Sequence, residues 1–164
     1  MIERAVVNSG PLVALSIIGQ LDLLPTLYAE CWVPQTVFNE VAVAGIGKPG
    51  AKSLQAADWQ ARVQAVPIPD PLLVMELDAG EAEVITLARQ LSPCMAIIDE
   101  RRGRRIAQQV YGLPVKGTAG ILVEAHRRGL IFGVRLHLLE LRTAGYFIAD
   151  SVIDAACKAA GEYQ

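Results

Sequence analysis

Short apolar segments alternate with amphipathic helical patterns along most of the chain, and this alternation constrains the fold more than any other feature. Strands that are apolar throughout and are joined through helices are typical of a parallel sheet covered on both faces. The sequence therefore predicts a three-layer α/β/α fold with a central, mainly parallel sheet. The predicted strands are residues 5–7, 31–33, 95–98 and 114–116.

Helical patterns account for most of the remaining sequence. The strongest covers residues 80–91, where apolar side chains recur every three or four positions. Thr36 and Thr118 are expected to cap the helices that they begin, because a threonine hydroxyl accepts a hydrogen bond from a free backbone N–H. The stretch 44–71 is rich in Gly and Pro and is expected to form loops around one short helix. The other helices are predicted at residues 12–18, 21–28, 36–43, 53–61, 101–110, 118–128, 134–143 and 150–160.

Composition limits the class of protein. A chain of 164 residues has the size of one domain, so a single domain over residues 1–164 is expected. Its 52% of hydrophobic residues excludes extensive disorder, and its net charge of −2 excludes a strongly basic nucleic-acid binder but not a local basic patch. The three cysteines are widely spaced, which indicates reduced thiols, and the apolar segments are too interrupted to span a membrane. A cytoplasmic protein without a membrane partner is therefore predicted.

Polar residues follow two of the predicted strands. Asn8 comes directly after the first strand, and Asp99 and Glu100 follow the third. Ligands of an open parallel sheet bind at the carboxyl ends of its strands, so these side chains are candidates for a site. A solvated strand end or a helix cap would account for each of them equally well when taken singly.

Two predicted helices add further acids. Glu40 lies beside apolar residues, and Glu81 lies in a first helical turn, where acids also favour the helix dipole. Glu83 is two positions from Glu81, so one of the two is expected to face inward and the other water. A set of carboxylates suits Mg²⁺ or Mn²⁺, which can lower the pKa of a bound water and stabilise charge on a phosphoryl oxygen. The set therefore favours phosphodiester hydrolysis.

Basic residues directly follow the acidic strand end. Arginine presents a planar fork of donors that matches phosphate, so a local RNA-binding edge is one interpretation. The other is a solvated helix face on which Arg102 and Arg105 pair with Glu83 or Glu100. The candidate nucleic-acid contacts are Arg101, Arg102, Arg105 and Lys116.

Several other chemistries lack their motifs. The sequence contains no Walker A loop and no GxGxxG after a predicted strand, which argues against nucleotide-binding loops of these types. His126 and His137 are eleven positions apart and lack the spacing of zinc ligands. Ser9 follows a strand but is not part of a GxSxG elbow.

Four segments in order resemble the motifs of PIN-domain proteins. Residues 6–15 resemble the opening strand and turn of that family, and residues 33–41 resemble its second motif, a strand followed by a helix that bears a Glu. Residues 80–88 and 97–102 resemble the third and fourth motifs. The similarity extends over about residues 5 to 155, and the nearest branch is the one described as predicted nucleic-acid-binding proteins containing a PIN domain.

The resemblance implies a Mg²⁺- or Mn²⁺-dependent ribonuclease fold that is often the toxin of a toxin–antitoxin pair, with RNA and an antitoxin protein as partners. It also implies that Ser9, Thr118 and Glu100 hydrogen-bond around the acidic site. The sequence departs from the family at the first position, where Asn stands in place of Asp and brings no charge. Asp78, Glu83 and Glu100 are candidates to compensate. The positions that match the metal-binding and catalytic acids are Asn8, Glu40, Glu81 and Asp99.

Three functional hypotheses remain open at this point. The first is an active metal-dependent endoribonuclease, and the second is a weakened PIN domain that binds RNA or a protein without catalysis. The third, ranked well below them, is a receiver-like domain with Asp99 as phosphoacceptor and Lys116 as its cationic partner. Residues 136–153 are strongly apolar, and they are interpreted either as core or as the face of a homodimer.

Overall fold

A computed structural model describes residues 1–162 of the chain. It contains a five-stranded sheet with the order β3-β2-β1-β4-β5, in which every neighbouring pair is parallel. The predicted parallel sheet within an α/β/α arrangement is therefore confirmed. The strands are β1 Arg4–Val7, β2 Glu30–Pro34, β3 Val63–Gln64, β4 Met95–Ile97 and β5 Val115–Lys116.

The central strand β1 sets the register of the sheet. Val6 pairs with Trp32 on one side and with Ala96 on the other. The backbone N–H of Asn8 then donates to the carbonyl of Ile97 at 2.9 Å, which continues the ladder one residue beyond β1. The ends of β1 and β4 consequently lie side by side, and the polar residues that follow them share one edge of the sheet.

Eleven α-helices occur among the described residues, and a π-helical turn at Asn39–Val43 directly continues α3. Helix α7 packs against β1, β2 and β4, whereas α9 packs with α1, α2, α10 and α11. The helices are α1 Ser9–Ile17, α2 Leu23–Leu27, α3 Gln35–Phe38, α4 Ala51–Leu54, α5 Ala57–Gln60, α6 Pro71–Glu76, α7 Ala79–Gln90, α8 Arg101–Gln109, α9 Thr118–Arg127, α10 Val134–Thr143 and α11 Asp150–Ala160.

The two predicted threonine caps are wrong. The N-cap positions of α3 and α9 are Pro34 and Gly117, and neither helix has a side-chain cap. The hydroxyl of Thr36 instead donates to Glu83, and that of Thr118 donates to Asp99. The same carboxylates also accept from the backbone N–H groups of Thr36 and Thr118, so acids on other elements bind the free N–H groups at the starts of these helices.

The stretch predicted as loops has more regular structure than its composition indicates. The single helix predicted at residues 53–61 is two short helices, α4 and α5. The edge strand β3 and helix α6 also lie within or next to this stretch. Strand β3 ends shortly before the Pro-rich segment 67–71, and Pro71 occupies the first turn of α6, where its missing N–H has no cost.

Two further properties concern membrane-spanning helices and the cysteines. Within residues 1–162, no helix combines the length and the apolar character that crossing a bilayer requires. Cys31, Cys94 and Cys157 are all buried and free.

Candidate active site

Asp99 follows β4 and accepts three hydrogen bonds. The backbone N–H of Thr118 donates to Oδ1 at 2.6 Å, and its hydroxyl donates to Oδ2 at 2.6 Å. The hydroxyl of Tyr146, from the loop between α10 and α11, also donates to Oδ2, at 2.5 Å. The carboxylate is therefore held in one orientation by donors from two distant segments of the chain.

Glycines make room for this arrangement. A β-carbon at position 117 would lie 2.5 Å from Nη1 of Arg104 and 2.7 Å from Oδ1 of Asp99. A β-carbon at position 10 would lie 3.2 Å from the hydroxyl oxygen of Tyr146. Gly117 and Gly10 thus allow the backbone to approach the carboxylate more closely than a side chain would permit.

Glu81 begins α7 in a capping box with Asp78. The N–H of Glu81 donates to Oδ1 of Asp78 at 2.8 Å, and the N–H of Asp78 donates to Oε2 of Glu81 at 3.3 Å. Glu100 caps α8 in a related way by accepting from the N–H of Gly103 at 2.8 Å. A β-carbon at Gly103 would meet Oε2 of Glu100 at 3.6 Å and Cδ of Glu81 at 3.8 Å, so the two carboxyl groups face each other there.

Glu81 is the carboxyl group of this edge with the largest increase in pKa. It is buried, with 7% of its surface exposed. Its pKa is raised to about 7, first by burial and then by the negative charges of Asp78 and Glu100, against a weaker opposing hydrogen bond from the backbone of Asp78. A hydrogen bond to Glu100 favours the same protonated form. Glu81 therefore retains a proton in a substantial fraction of molecules near neutral pH.

Glu40 lies on the π-helical turn and approaches the start of α7. A β-carbon at Gly80 would be 2.7 Å from its Oε1. Partial burial and the charge of Asp78 raise the pKa of Glu40, and a hydrogen bond with Ser9 opposes that change. Ser9 therefore lies next to an acid of the candidate site.

Asn8 and Glu83 complete the placement of the polar residues at this edge. Asn8 is buried at the N-cap of α1, and its side chain makes no capping hydrogen bond. Glu83 accepts from both the N–H and the hydroxyl of Thr36, so it is held toward α3 whereas Glu81 faces α8. The expectation that the two glutamates point apart agrees with this geometry, although Glu83 is half-buried rather than fully in water.

The acids of this edge have no cationic partner among residues 1–162. Ion pairs form elsewhere, and none includes Glu40, Asp78, Glu81, Asp99 or Glu100. The half-buried Arg104 donates to the backbone carbonyl of Ile98 at 3.2 Å, and its Nη1 lies across Gly117 from Oδ1 of Asp99 without forming an ion pair with it. The carboxylates therefore lack a direct ion pair within the described part of the protein, and Arg104 is the cation that approaches Asp99.

A family model described as a PIN domain matches residues 4–162. The chain belongs to the PIN-domain family. No curated protein and no solved structure matches it significantly. Membership confirms the resemblance seen in the four sequence segments, and it supports a nuclease-like function for the acidic edge.

The basic residues of this PIN domain divide into paired and unpaired groups. Arg102 pairs with Glu76 of α6, not with Glu83 or Glu100 as one interpretation expected. Lys116 lies 3.8 Å from Glu124, which orients it toward α9. Arg101 and Arg105 are exposed and form no ion pair within the described residues. They share the outer face of α8, next to the acids that precede this helix.

The acids of this edge suit a Mg²⁺ ion that keeps part of its water shell better than a metal ion enclosed by protein ligands alone. In the described range 1–162, no three His, Cys, Asp or Glu side chains converge closely enough to hold a metal ion. Mg²⁺ usually binds through one or two carboxylates, with waters and substrate phosphates as its other ligands. Glu40 and Glu81, whose pKa values are raised and which form no ion pair with a described residue, fit such a water-rich site.

Several residues of the PIN-domain site have no counterpart among the sequence-based candidates. Tyr146 is the polar one, and Gly10, Gly80, Gly103 and Gly117 are the glycines against which the acids lie. The glycines carry a weak signal, since each lies one to three positions from a candidate polar residue. Tyr146 carries none, because it is 47 positions from Asp99 and lies in a loop.

Proposed function

We propose that this PIN domain is an endoribonuclease-like protein that hydrolyses RNA phosphodiester bonds with Mg²⁺ or Mn²⁺. The observation that carries the proposal is the set of acids at the edge of the sheet beyond β1 and β4, none of which forms an ion pair with a described residue. Carboxylates at one edge repel one another, and a divalent cation relieves that repulsion.

The residues proposed to hold the ion are Glu81 and Asp99, with Glu40 and the neutral oxygen of Asn8 as further ligands. A bound divalent ion supplies a water of lowered pKa and stabilises charge on a phosphoryl oxygen. Thr118 holds Asp99, and Ser9 contacts Glu40, so that both carboxylates keep their orientation. Glu81 has a pKa near 7, which suits a group that exchanges protons at neutral pH.

RNA is the proposed substrate because the family is nuclease-like and unpaired arginines flank the acids. Arg101 and Arg105 offer planar donor forks to phosphate at the start of α8. Lys116 and Arg102 are less available for this role, since each already faces an acid. The proposed contacts are therefore confined to one edge of an otherwise acidic protein.

Incubation of the purified protein with labelled RNA and Mn²⁺ tests this proposal. Cleavage is expected for the natural sequence, and its loss is expected for Glu81→Gln and Asp99→Asn. Glu140→Gln, on the exposed face of α10, is the matched control and should cleave normally. A protein that leaves RNA intact at every Mn²⁺ and Mg²⁺ concentration would contradict the proposal.

The neutral side chain of Asn8 favours a second candidate, a PIN domain that binds RNA or a protein without catalysis. Asn ligates only through a carbonyl oxygen and cannot act as a base. A salt-sensitive shift of RNA without turnover, together with cleavage by Asn8→Asp, would establish this candidate instead of the first. Absence of any RNA shift would leave protein binding alone.

Partners and a toxin role belong to the same proposal. Three large apolar side chains are exposed on or beside α10 and α11, which favours a homodimer through these helices: Leu136, Phe147 and Val152. Leu136→Lys is expected to yield a monomer by light scattering.

A toxin role predicts that expression in bacteria arrests growth. Glu81→Gln and a co-expressed antitoxin are each expected to restore growth. Equal growth with and without induction would exclude the toxin role.

A further inference from the structure

Tyr146 reaches the acidic edge from a part of the chain that contributes nothing else to it. It lies in the loop between α10 and α11, and its neighbour Phe147 is 87% exposed. The tyrosine ring is half-buried and its hydroxyl donates to Oδ2 of Asp99 at 2.5 Å. The loop thus turns one aromatic side chain inward to the site and the next one outward.

The hydrogen bonds use the two oxygens of Asp99 unequally. A carboxylate oxygen has about two positions at which it accepts a hydrogen bond or binds a cation. Oδ2 accepts from both Tyr146 and the hydroxyl of Thr118, whereas Oδ1 accepts only from the backbone N–H of Thr118 among the described donors. Oδ2 is therefore saturated, and Oδ1 has one position left.

In this contact the phenol of Tyr146 is the donor and the carboxylate of Asp99 is the acceptor. Gly10 provides the space for the hydroxyl, because a β-carbon there would lie 3.2 Å from its oxygen and at an ordinary contact distance of 3.7 Å from Oδ2. A side chain at position 10 would therefore press on the tyrosine hydroxyl.

We propose that Tyr146 is a positioning residue that occupies Oδ2 of Asp99 and restricts this acid to binding a cation through Oδ1. The inference rests on the metal site of the proposed function but does not require that the protein cleave RNA. It gives the C-terminal helices a role in the site, since their connecting loop sets how strongly Asp99 can bind a divalent ion.

Mn²⁺ affinity measured by isothermal titration calorimetry tests the inference. Tyr146→Phe keeps the ring and removes the hydroxyl, so it frees a position on Oδ2 and is expected to tighten Mn²⁺ binding about tenfold, the equivalent of one hydrogen bond to a charged group. Tyr111→Phe is the control, because the Tyr111 hydroxyl contacts Asp70 at 3.4 Å and no acid of this site. That variant should bind Mn²⁺ as the natural sequence does.

A double-mutant cycle separates positioning from a general structural effect. In an Asp99→Asn background, Tyr146→Phe is expected to leave Mn²⁺ affinity unchanged, because the hydroxyl acts only through the carboxylate. An equal effect in both backgrounds, or an unchanged or weaker affinity for Tyr146→Phe alone, would overturn the inference.

The outcomes also distinguish this inference from the proposed function. Tighter Mn²⁺ binding by Tyr146→Phe without RNA cleavage by any variant would support the inference and contradict the nuclease. If the protein cleaves RNA and Tyr146→Phe does not change its Mn²⁺ affinity, the nuclease is supported and the inference is overturned. If neither the natural sequence nor Tyr146→Phe binds Mn²⁺, both the metal site and the inference are wrong.

Discussion

The carboxylate of Glu40 packs against Gly80 so closely that a β-carbon at position 80 would collide with it. A β-carbon there would lie 2.7 Å from Oε1 of Glu40 and 3.4 Å from a methyl carbon of Val37. The start of α7 and the π-helical turn therefore approach each other through a glycine and an acid. A substitution at Gly80 can therefore change the position of Glu40 separately from the stability of the fold.

Gly80→Ala is expected to displace Glu40 while leaving the protein folded. The displaced atom is the end of a flexible side chain, so the collision is relieved by rotation of Glu40 and not by movement of the helix. Alanine also stabilises a helix over glycine by roughly 0.5–1 kcal/mol, which offsets the remaining strain. Thermal unfolding should show an unchanged or slightly higher Tm, and Mn²⁺ binding and RNA cleavage should fall.

Gly120→Ala provides the control for that experiment. Gly120 also lies in a helix, and a β-carbon there would make only ordinary contact with Lys116, at 3.4 Å or more. It should change neither Mn²⁺ binding nor cleavage. A Gly80→Ala protein that binds Mn²⁺ as well as the Gly120→Ala protein would contradict a role for Glu40 at the site.

Glu81→Gln is expected to stabilise the protein at neutral and alkaline pH. The folded-state pKa of Glu81 is raised from 4.5 to about 7, so the folded protein binds more protons than the unfolded chain between these values. Stability therefore falls as pH rises from about 4.5 to about 7, and the loss persists above that range. A neutral Gln that can still accept from the N–H of Asp78 removes the loss.

The gain should be a rise in Tm of about 2–4 °C at pH 8, which corresponds to about 1 kcal/mol for a chain of this size. At pH 4 the variant and the natural sequence should unfold at similar temperatures. Differential scanning calorimetry in metal-free buffer at both pH values measures the difference. A variant that is less stable at pH 8 would show that the capping role of Glu81 outweighs its charge.

The sequence predicted the sheet well because its strands carry their own signal. A strand such as β1 is apolar throughout, and it ends at Asn8, where the pattern changes. The helix α7 was likewise predicted within one residue at each end by its periodicity. The edge strand β3 was missed because two residues beside Pro-rich loops give no pattern, and only pairing with β2 defines them.

The positions of the candidate site residues along the fold were predictable, but the contacts of their side chains were not. Position after a strand identified Asp99, and helical periodicity placed Glu81 at the start of a helix. The partners that hold Asp99 come from Thr118 and Tyr146, and the tyrosine is fixed by tertiary packing that no local pattern reveals. The assignment of Thr118 as a cap was wrong for the same reason, since a local rule cannot include an acceptor 19 positions away.

Asn8→Asp is expected to make stability depend on metal. The new carboxylate would be buried at the sheet edge that already carries acids without an ion pair, so the variant should unfold at a lower temperature than the natural sequence in EDTA. A divalent ion compensates the added charge, and Mn²⁺ should therefore raise the Tm of the variant more than that of the natural sequence. The measurement is thermal unfolding with and without Mn²⁺. Equal Mn²⁺-induced shifts in both proteins would place position 8 outside the metal site.

The exposed arginines of α8 give the last prediction, which concerns RNA binding in the absence of cleavage. Arg101 and Arg105 form no ion pair with a described residue, so their guanidinium groups are available to phosphate. Arg101→Ala and Arg105→Ala should each weaken RNA binding in EDTA to a similar extent for all sequences, and each should reduce the slope of log affinity against log salt by about 1. Arg142→Ala, which removes a partner of Asp150 on α11, should leave that slope unchanged. Each arginine that neutralises a phosphate releases counterions and so contributes to the slope. If neither α8 variant changes the slope, RNA contacts another face of the protein.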